Sequence, residues 1–219
     1  MITYDDVKNN EEIKIYIRMA DDTMKSLKYT EHSFAHVVRT ANTASQILSK
    51  MGYDERTVEL GKIAGYMHDI GNVINRIDHA QSGAVMAFRL LDKMGMPAEE
   101  NGKIICAIGN HDEHTAYPVN ELAAALIIAD KSDVRRSRVR SKADLDIDIH
   151  DRVNYAVIES HLDIDTEDKK FVLYLVIDEE ISHMSEYFEI FLDRMLLCRR
   201  AADYFNMAFE VNINGSRVM

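Results

Sequence analysis

The sequence predicts a mainly α protein, with an all-α core over residues 1–140 and a C-terminal α+β unit over residues 141–219. Three observations carry that reading. Apolar residues recur at helical spacing through successive segments between residues 5 and 140. The chain has only two prolines, Pro97 and Pro118, and Pro97 falls where a helix begins. Beyond residue 140 the composition turns acidic and β-branched, and the apolar run 171–177 suits a strand.

The elements follow in order. Residues 5–27 read as a first helix of mixed polarity. The next helix, 34–51, carries Val37, Val38, Ala41, Ala44, Ile47 and Leu48 at helical spacing, and Gly52 closes it as a C′ residue. Asp54 is placed to cap a third helix with Val58, Leu60, Ile63, Ala64 and Met67 on its apolar face. That helix delivers His68 and Asp69 and breaks at Gly71, whose freedom of φ lets the chain turn away. A fourth helix spans 77–94 and ends at Gly95. Pro97 opens a fifth at its first position, with Ile104, Ile105 and Ile108 inside and His111 near its end. The sixth is expected over 121–138. In the C-terminal unit, strands at 157–164 and 171–177 form a hairpin, 180–205 is a long amphipathic helix, and 209–213 is a closing strand with a hairpin turn at Asn214 and Gly215. The helix stripe Met184, Phe188, Phe191 and Met195 fits core packing or a homodimer contact.

Composition narrows the function. Apolar residues make up 47% of 219, enough for a folded core. The net charge of −11 repels a phosphate backbone, which argues against a nucleic acid polymer or an anionic membrane as partner. The first residues are polar and acidic, unlike a signal peptide, and no apolar stretch is long enough to span a bilayer. Cys106 and Cys198 lie in apolar helical runs and read as reduced packing residues, so a cytoplasmic protein is expected.

The chemistry concentrates in six positions: His36, His68, Asp69, His79, His111 and Asp130. Each lies in or beside a predicted helix, and imidazole with carboxylate is a donor set for divalent first-row metals. Asp69 has two oxygens and could bridge two ions. Asp130 emerges from the apolar run 126–129, where a carboxylate is costly unless it is paired or metal-bound. His32, one turn before His36, reads as a supporting or surface residue, and His114, His150, His161 and His183 show no pattern.

This ordered series resembles the HD superfamily of metal-dependent phosphohydrolases over roughly residues 30–140. His36 with Ala41 and Ala44 is similar to the first-histidine helix, His68-Asp69-Ile70-Gly71 to the signature itself, and Ala129-Asp130 to the final Asp. His79 with Gly83, and His111 after Ile108, resemble the two further histidines of the six-ligand subgroup, which includes bacterial diadenosine tetraphosphate hydrolases. The resemblance implies an HD-type helical core and one or two divalent ions (Fe, Mn, Ni or Zn). It also implies hydrolysis of a phosphate ester or anhydride in a small phosphorylated metabolite such as a nucleotide. Asn72 stands where the family often has Lys. The Glu-Asp pair of guanosine tetraphosphate hydrolases and the Gly-Tyr-Pro signature of cyclic-di-GMP phosphodiesterases are missing, which disfavours those substrates.

In such an enzyme Asp69 would help activate water, and a positive clamp is needed for the phosphoryl group. Lys131, Arg135, Arg136, Arg138, Arg140 and Lys142 supply candidates, interrupted by Asp133. On a helix starting near Asp130, Arg138 returns to the ligand's face after two turns, and Asp133 lies close to it after one. Arg136 matches an arginine of the diadenosine tetraphosphate hydrolase-like proteins. Lys131, Arg136 and Arg138 are therefore the candidate catalytic cations, against a solvated basic face that balances the acidic segment 144–151. Three other functions remain open: a metal-loaded nucleotide sensor, a dimerising scaffold with a vestigial pocket, and di-iron oxygenase chemistry.

Overall fold

A computed structural model describes residues 1–113, 115–140 and 149–219. His114, Lys142 and most of the acidic segment 144–151 lie outside the described residues.

The first predicted helix is two: α1 (Tyr4–Asn9) and α2 (Glu11–Ser26). Asn10 separates them with an extended backbone, and its side chain accepts from the Ile13 N–H to cap α2. α3 (Phe34–Lys50) and α4 (Glu55–Met67) follow, and Gly52 between them has a φ of +81°. The N–H groups of Arg56 and Thr57 donate to Asp54, the expected cap. A 3₁₀ turn, Ile70–Val73, leads to α5 (His79–Lys93), then α6 (Ala98–Gly109) and α7 (Glu121–Lys131).

Gly71 corrects one expectation. Its φ is not positive, so conformational freedom is not the reason for glycine here. A Cβ at this position would stand 2.0 Å from the His79 carbonyl oxygen and 2.4 Å from the Gly83 nitrogen. The glycine lets the 3₁₀ turn lie directly against α5, and so brings His79 beside Asp69.

A second correction concerns α7, which stops at Lys131 and does not continue to residue 138. Residues 136–138 form a separate 3₁₀ turn, followed by α8 (Ile149–Ala156). The C-terminal elements agree with the sequence reading: β1 (Val157–Asp165), β2 (Lys170–Ile177), α9 (Met184–Tyr204), β3 (Ala208–Ile213) and β4 (Ser216–Arg217). Strand order is β1-β2-β3-β4. β1 and β2 are an antiparallel hairpin, α9 carries the chain across so that β3 runs parallel to β2, and β4 folds back antiparallel.

Every residue of α7 from Leu122 to Ala129 is buried. Leu122, Ala123 and Leu126 face a core built from α1 to α6. Ala124, Ala125, Ile127 and Ile128 face a second core containing Phe171, Leu173, Phe191, Met195 and Val211. The α9 stripe is thus packed: Phe191 and Met195 are buried, with Met184 and Phe188 against them. Four alanines among these eight residues let neighbours approach closely from both sides.

Candidate metal centre

The six predicted ligands come from separate elements. α3 supplies His36, the end of α4 supplies His68 and Asp69, α5 supplies His79, the residue pair after α6 supplies His111, and α7 supplies Asp130. The fold brings all six together. His36 Nε2 lies 3.5 Å from Asp69 Oδ2 and 3.2 Å from Asp130 Oδ1. His68 Nε2 lies 3.2 Å and 3.6 Å from the same two oxygens. His79 Nε2 is 3.4 Å from Asp69 Oδ1 and 3.2 Å from His111 Nε2. Donors about 2.1 Å from one cation stand about 3.0 to 4.2 Å apart, so these separations suit a shared ion. The two oxygens of Asp69 face different histidines, one towards His36 and His68, the other towards His79.

The outer ring nitrogens settle the tautomers. His68 Nδ1 is 2.8 Å from the Gly65 carbonyl, His79 Nδ1 3.0 Å from that of Arg76, and His111 Nδ1 2.6 Å from that of Ile108. A carbonyl oxygen only accepts, so each Nδ1 carries its hydrogen and donates it. His36 Nδ1 donates to Asp133 Oδ2 at 2.8 Å. All four Nε2 atoms then face inward, and those of His36 and His68 are buried without a hydrogen-bond partner. Orphaned nitrogens whose far sides are fixed in this way are what metal-ligating imidazoles require.

The electrostatics of the bare cluster agree. Burial pushes the Asp69 and Asp130 carboxyls up, but His68 beside Asp69 and Lys131 beside Asp130 outweigh it and hold both well below the usual range. Burial pulls the His68 imidazole down, yet the charge of Asp69 and contact with Asp130 carry it up to about 10. His111 is driven well down by burial and by its neighbours His68 and His79. The carboxylates thus attract positive charge into the cluster, and a divalent cation bound there would displace protons. The atoms of His36, His68 and Asp130, and of His68, Asp69 and His111, form two groups able to hold such an ion. Imidazole nitrogen with carboxylate oxygen accepts Fe, Mn, Ni or Zn.

Helical spacing sets Asp133 near the ligand face one turn after Asp130, but it reaches the site differently. Just past the end of α7 it is buried, accepts from His36 Nδ1 and Arg135 Nε, and lies 3.1 Å from Arg39 Nε. Asn72 is buried and donates to Asp69 Oδ1 at 2.9 Å. Arg76, which the sequence did not single out, has Nη1 3.3 Å from His79 Nε2.

A cavity of about 130 Å³ opens on the cluster. Of the three candidate cations, Lys131 and Arg138 line it. Lys131 Nζ is 2.7 Å from Asp130 Oδ2, while Arg138 donates to the carbonyls of Glu31 and Asp133. Arg138 gets there because the chain reverses after Lys131, not by continuing the helix. The structure does not bring Arg136 to the cluster: its Nε donates to the Tyr155 carbonyl and its guanidinium lies over the Tyr155 ring. Arg135 and Arg140 are tied to Glu31 and Asp21. His32, which the sequence reads as a supporting or surface residue, and His150, which shows no pattern there, both line the cavity. So do Phe191 and Arg194, from α9, for which no local pattern gave a signal. His161 instead stacks on Tyr174, and His183 precedes α9 as its cap residue.

The HD domain family model matches residues 33–156. A protein of Opitutus terrae named Ribonuclease Y is 29% identical over 115 residues, which is 52% of this chain and 20% of that protein. An uncharacterized protein of Methanocaldococcus jannaschii is 25% identical over 159 residues, 63% of this chain and 61% of its own. The chain therefore spans about a fifth of the first relative and about three fifths of the second. The family match covers more than half of the sequence and includes the six-residue cluster just described, and the chain belongs to the HD domain family.

Proposed function

We propose that this protein is a metal-dependent phosphohydrolase acting on a small phosphorylated metabolite, a nucleotide being the favoured class. One observation carries the reading. The unpartnered Nε2 atoms of His36 and His68 converge with the carboxylates of Asp69 and Asp130 beside a cavity whose walls carry Lys131 and Arg138. His36, His68, Asp69 and Asp130 would hold one ion, with His79 and His111 joining Asp69 if a second is bound. A divalent ion there supplies a water nucleophile at neutral pH and offsets charge growing on phosphoryl oxygens.

The chain's own residues do the rest. Asp69 faces both histidine sets, and Asn72 holds its carboxylate in place. Lys131 and Arg138 give the incoming phosphoryl group positive partners. His32 is driven well down by burial and is therefore neutral, and its Nδ1 donates to the Thr30 carbonyl.

Size and charge favour a small substrate. A cavity near 130 Å³ is comparable to one of about 150 Å³ that admits benzene, so it takes about six heavy atoms: a phosphoryl group and its immediate neighbours. The rest of the molecule would lie along Lys28, Tyr29 and Thr30 at the cavity wall. The name of the Opitutus relative, a ribonuclease, supports phosphodiester chemistry but leaves polymer length open. The test is product release from nucleoside phosphates, dinucleoside polyphosphates and short RNA with Mn or Fe added anaerobically. Turnover of a small phosphate ester that falls to background in Asp69→Ala is expected. Turnover that survives this substitution would overturn the mechanism, and a strict preference for RNA would overturn the substrate class.

A further inference from the structure

We propose that Arg194, on α9 in the C-terminal unit, is a substrate-binding residue that grips phosphoryl oxygens in the cavity and makes that unit part of substrate selection. The inference rests on the phosphohydrolase reading and extends it beyond residues 33–156, where the family match ends.

Arg194 and Phe191 line the same cavity as Asp69, Asp130, Lys131 and Arg138. The arginine is held on two sides. Its Nε is 2.5 Å from Glu113 Oε1, and its guanidinium lies 4.7 Å from the centre of the Phe191 ring. Those contacts use the inner nitrogen and one face. Among the described residues, its Nη1 and Nη2 make no hydrogen bond. A planar pair of N–H donors, on a residue that lines the cavity beside the candidate metal ligands, matches two oxygens of a phosphoryl group. Orientation before binding also lowers the entropy lost when the anion arrives.

The wall around it has the same character. Among the described residues, Lys28, Arg76, Lys131, Arg138 and Arg194 contribute five cations to a lining whose acids are Asp69, Asp130 and Asp151. Two of those acids belong to the metal cluster. A positive lining on a chain of net charge −11 is concentrated where a polyanionic substrate would sit.

A purely structural role makes a different prediction. Glu113 also stands 3.7 Å from Lys131 Nζ, which in turn holds Asp130. If Arg194 served only to steady that chain of charges, its loss would weaken metal binding and leave anion binding at saturating metal unchanged.

The experiment compares the full-length wild type with Arg194→Met and Arg194→Lys. Methionine keeps an extended apolar stem and loses the fork, while lysine keeps the charge and loses the fork. Mn binding is measured first, then inorganic phosphate binding to the Mn-saturated proteins by calorimetry, then KM and kcat for a nucleotide that the wild type hydrolyses. Mn affinity should stay within about twofold. Phosphate affinity should fall by about 10- to 100-fold in Arg194→Met, the range for losing hydrogen bonds to a charged partner. It should fall less in Arg194→Lys, with KM rising in step and kcat changing less. Unchanged phosphate affinity and KM in a folded variant would overturn the proposal, as would a loss confined to Mn binding. Should Arg194→Met not fold, Arg194→Lys decides by the same readings. A wild type that binds Mn but neither phosphate nor any phosphate ester would overturn the hydrolase reading, and this one with it.

Discussion

Asp133→Asn isolates one buried carboxylate that the candidate metal ligand His36 depends on. The carboxylate takes three donors: His36 Nδ1 on Oδ2, and Arg39 Nε and Arg135 Nε on Oδ1. Burial alone would raise its pKa, but His36 and the arginines Arg138 and Arg135 hold it far below the usual range, so it is ionised. Asparagine offers one acceptor oxygen and one NH₂. If the oxygen faces His36, the NH₂ meets two guanidinium donors. If the oxygen faces the arginines, the NH₂ meets Nδ1, and the imidazole must move its hydrogen to Nε2. A protonated Nε2 cannot ligate. Loss of a partner behind a ligating histidine costs about 10- to 100-fold in metal affinity, which is about 1.4 to 2.8 kcal/mol. That matches the roughly 1.5 to 3 kcal/mol of a hydrogen bond to a charged group. The assay is Mn or Zn titration against a competing chelator, with circular dichroism to show that the variant is folded. A folded variant that binds metal within twofold of wild type would refute the role assigned to Asp133.

Three further outcomes are expected. The metal-free cluster should show opposite pH trends to the loaded one. The raised His68 contributes stability that is fully present below about pH 6.5 and is lost as pH climbs through its folded value of about 10. The depressed Asp69 and Asp130 contribute stability present above about pH 4 and lost as pH falls through their lower folded values. Because a bound cation displaces the His68 proton, the gain in Tm on adding Mn should grow from pH 6 to 9, and a gain flat across that window would contradict the account. Gly71→Ala should cost at least about 3 kcal/mol, because the new methyl meets backbone that cannot swing aside. For a chain this long that lowers Tm by about 6 to 12 °C. Gly102→Ala, where a Cβ meets open space on α6, should instead stabilise by about 0.5 to 1 kcal/mol, and thermal melts of the pair check both. Finally, burial pushes the Cys198 thiol far up, so a thiol reagent should label no more than one of the two cysteines until denaturant is added.

The helices were legible wherever an apolar stripe and a capping residue agreed, as at Asp54 and Gly52. The signal at Asn10 was also present in the sequence, an Asn before two Glu residues, but the apolar spacing ran through it and hid the break. The end of α7 had no local mark. Neither Gly nor Pro follows Lys131, and the helix stops where Asp133 turns to His36 and Arg138 donates to the Asp133 carbonyl. Both contacts join residues that periodicity cannot relate. The same reason separates the two arginines. Arg136 and Arg138 look alike in a basic run, and only the reversal after α7 sends one to the cavity and the other to Tyr155. The cluster of candidate metal ligands could be picked out because six residues of the right chemistry kept a known order. Arg194 was not, because one arginine in an amphipathic helix has many ordinary explanations.

α7 has no watered side, and that has a practical corollary for anyone trimming the chain. A fragment cut after Ala156, where the family match stops, would keep every metal ligand yet strip α9 and the sheet from Ala124, Ala125 and Ile128. The bared stripe lies on the helix that presents Asp130, so the shortened protein should clump on expression or lose its grip on metal. The segment that carries the candidate ligands and its tail are best regarded as tenants of one wall, neither able to leave without exposing the other.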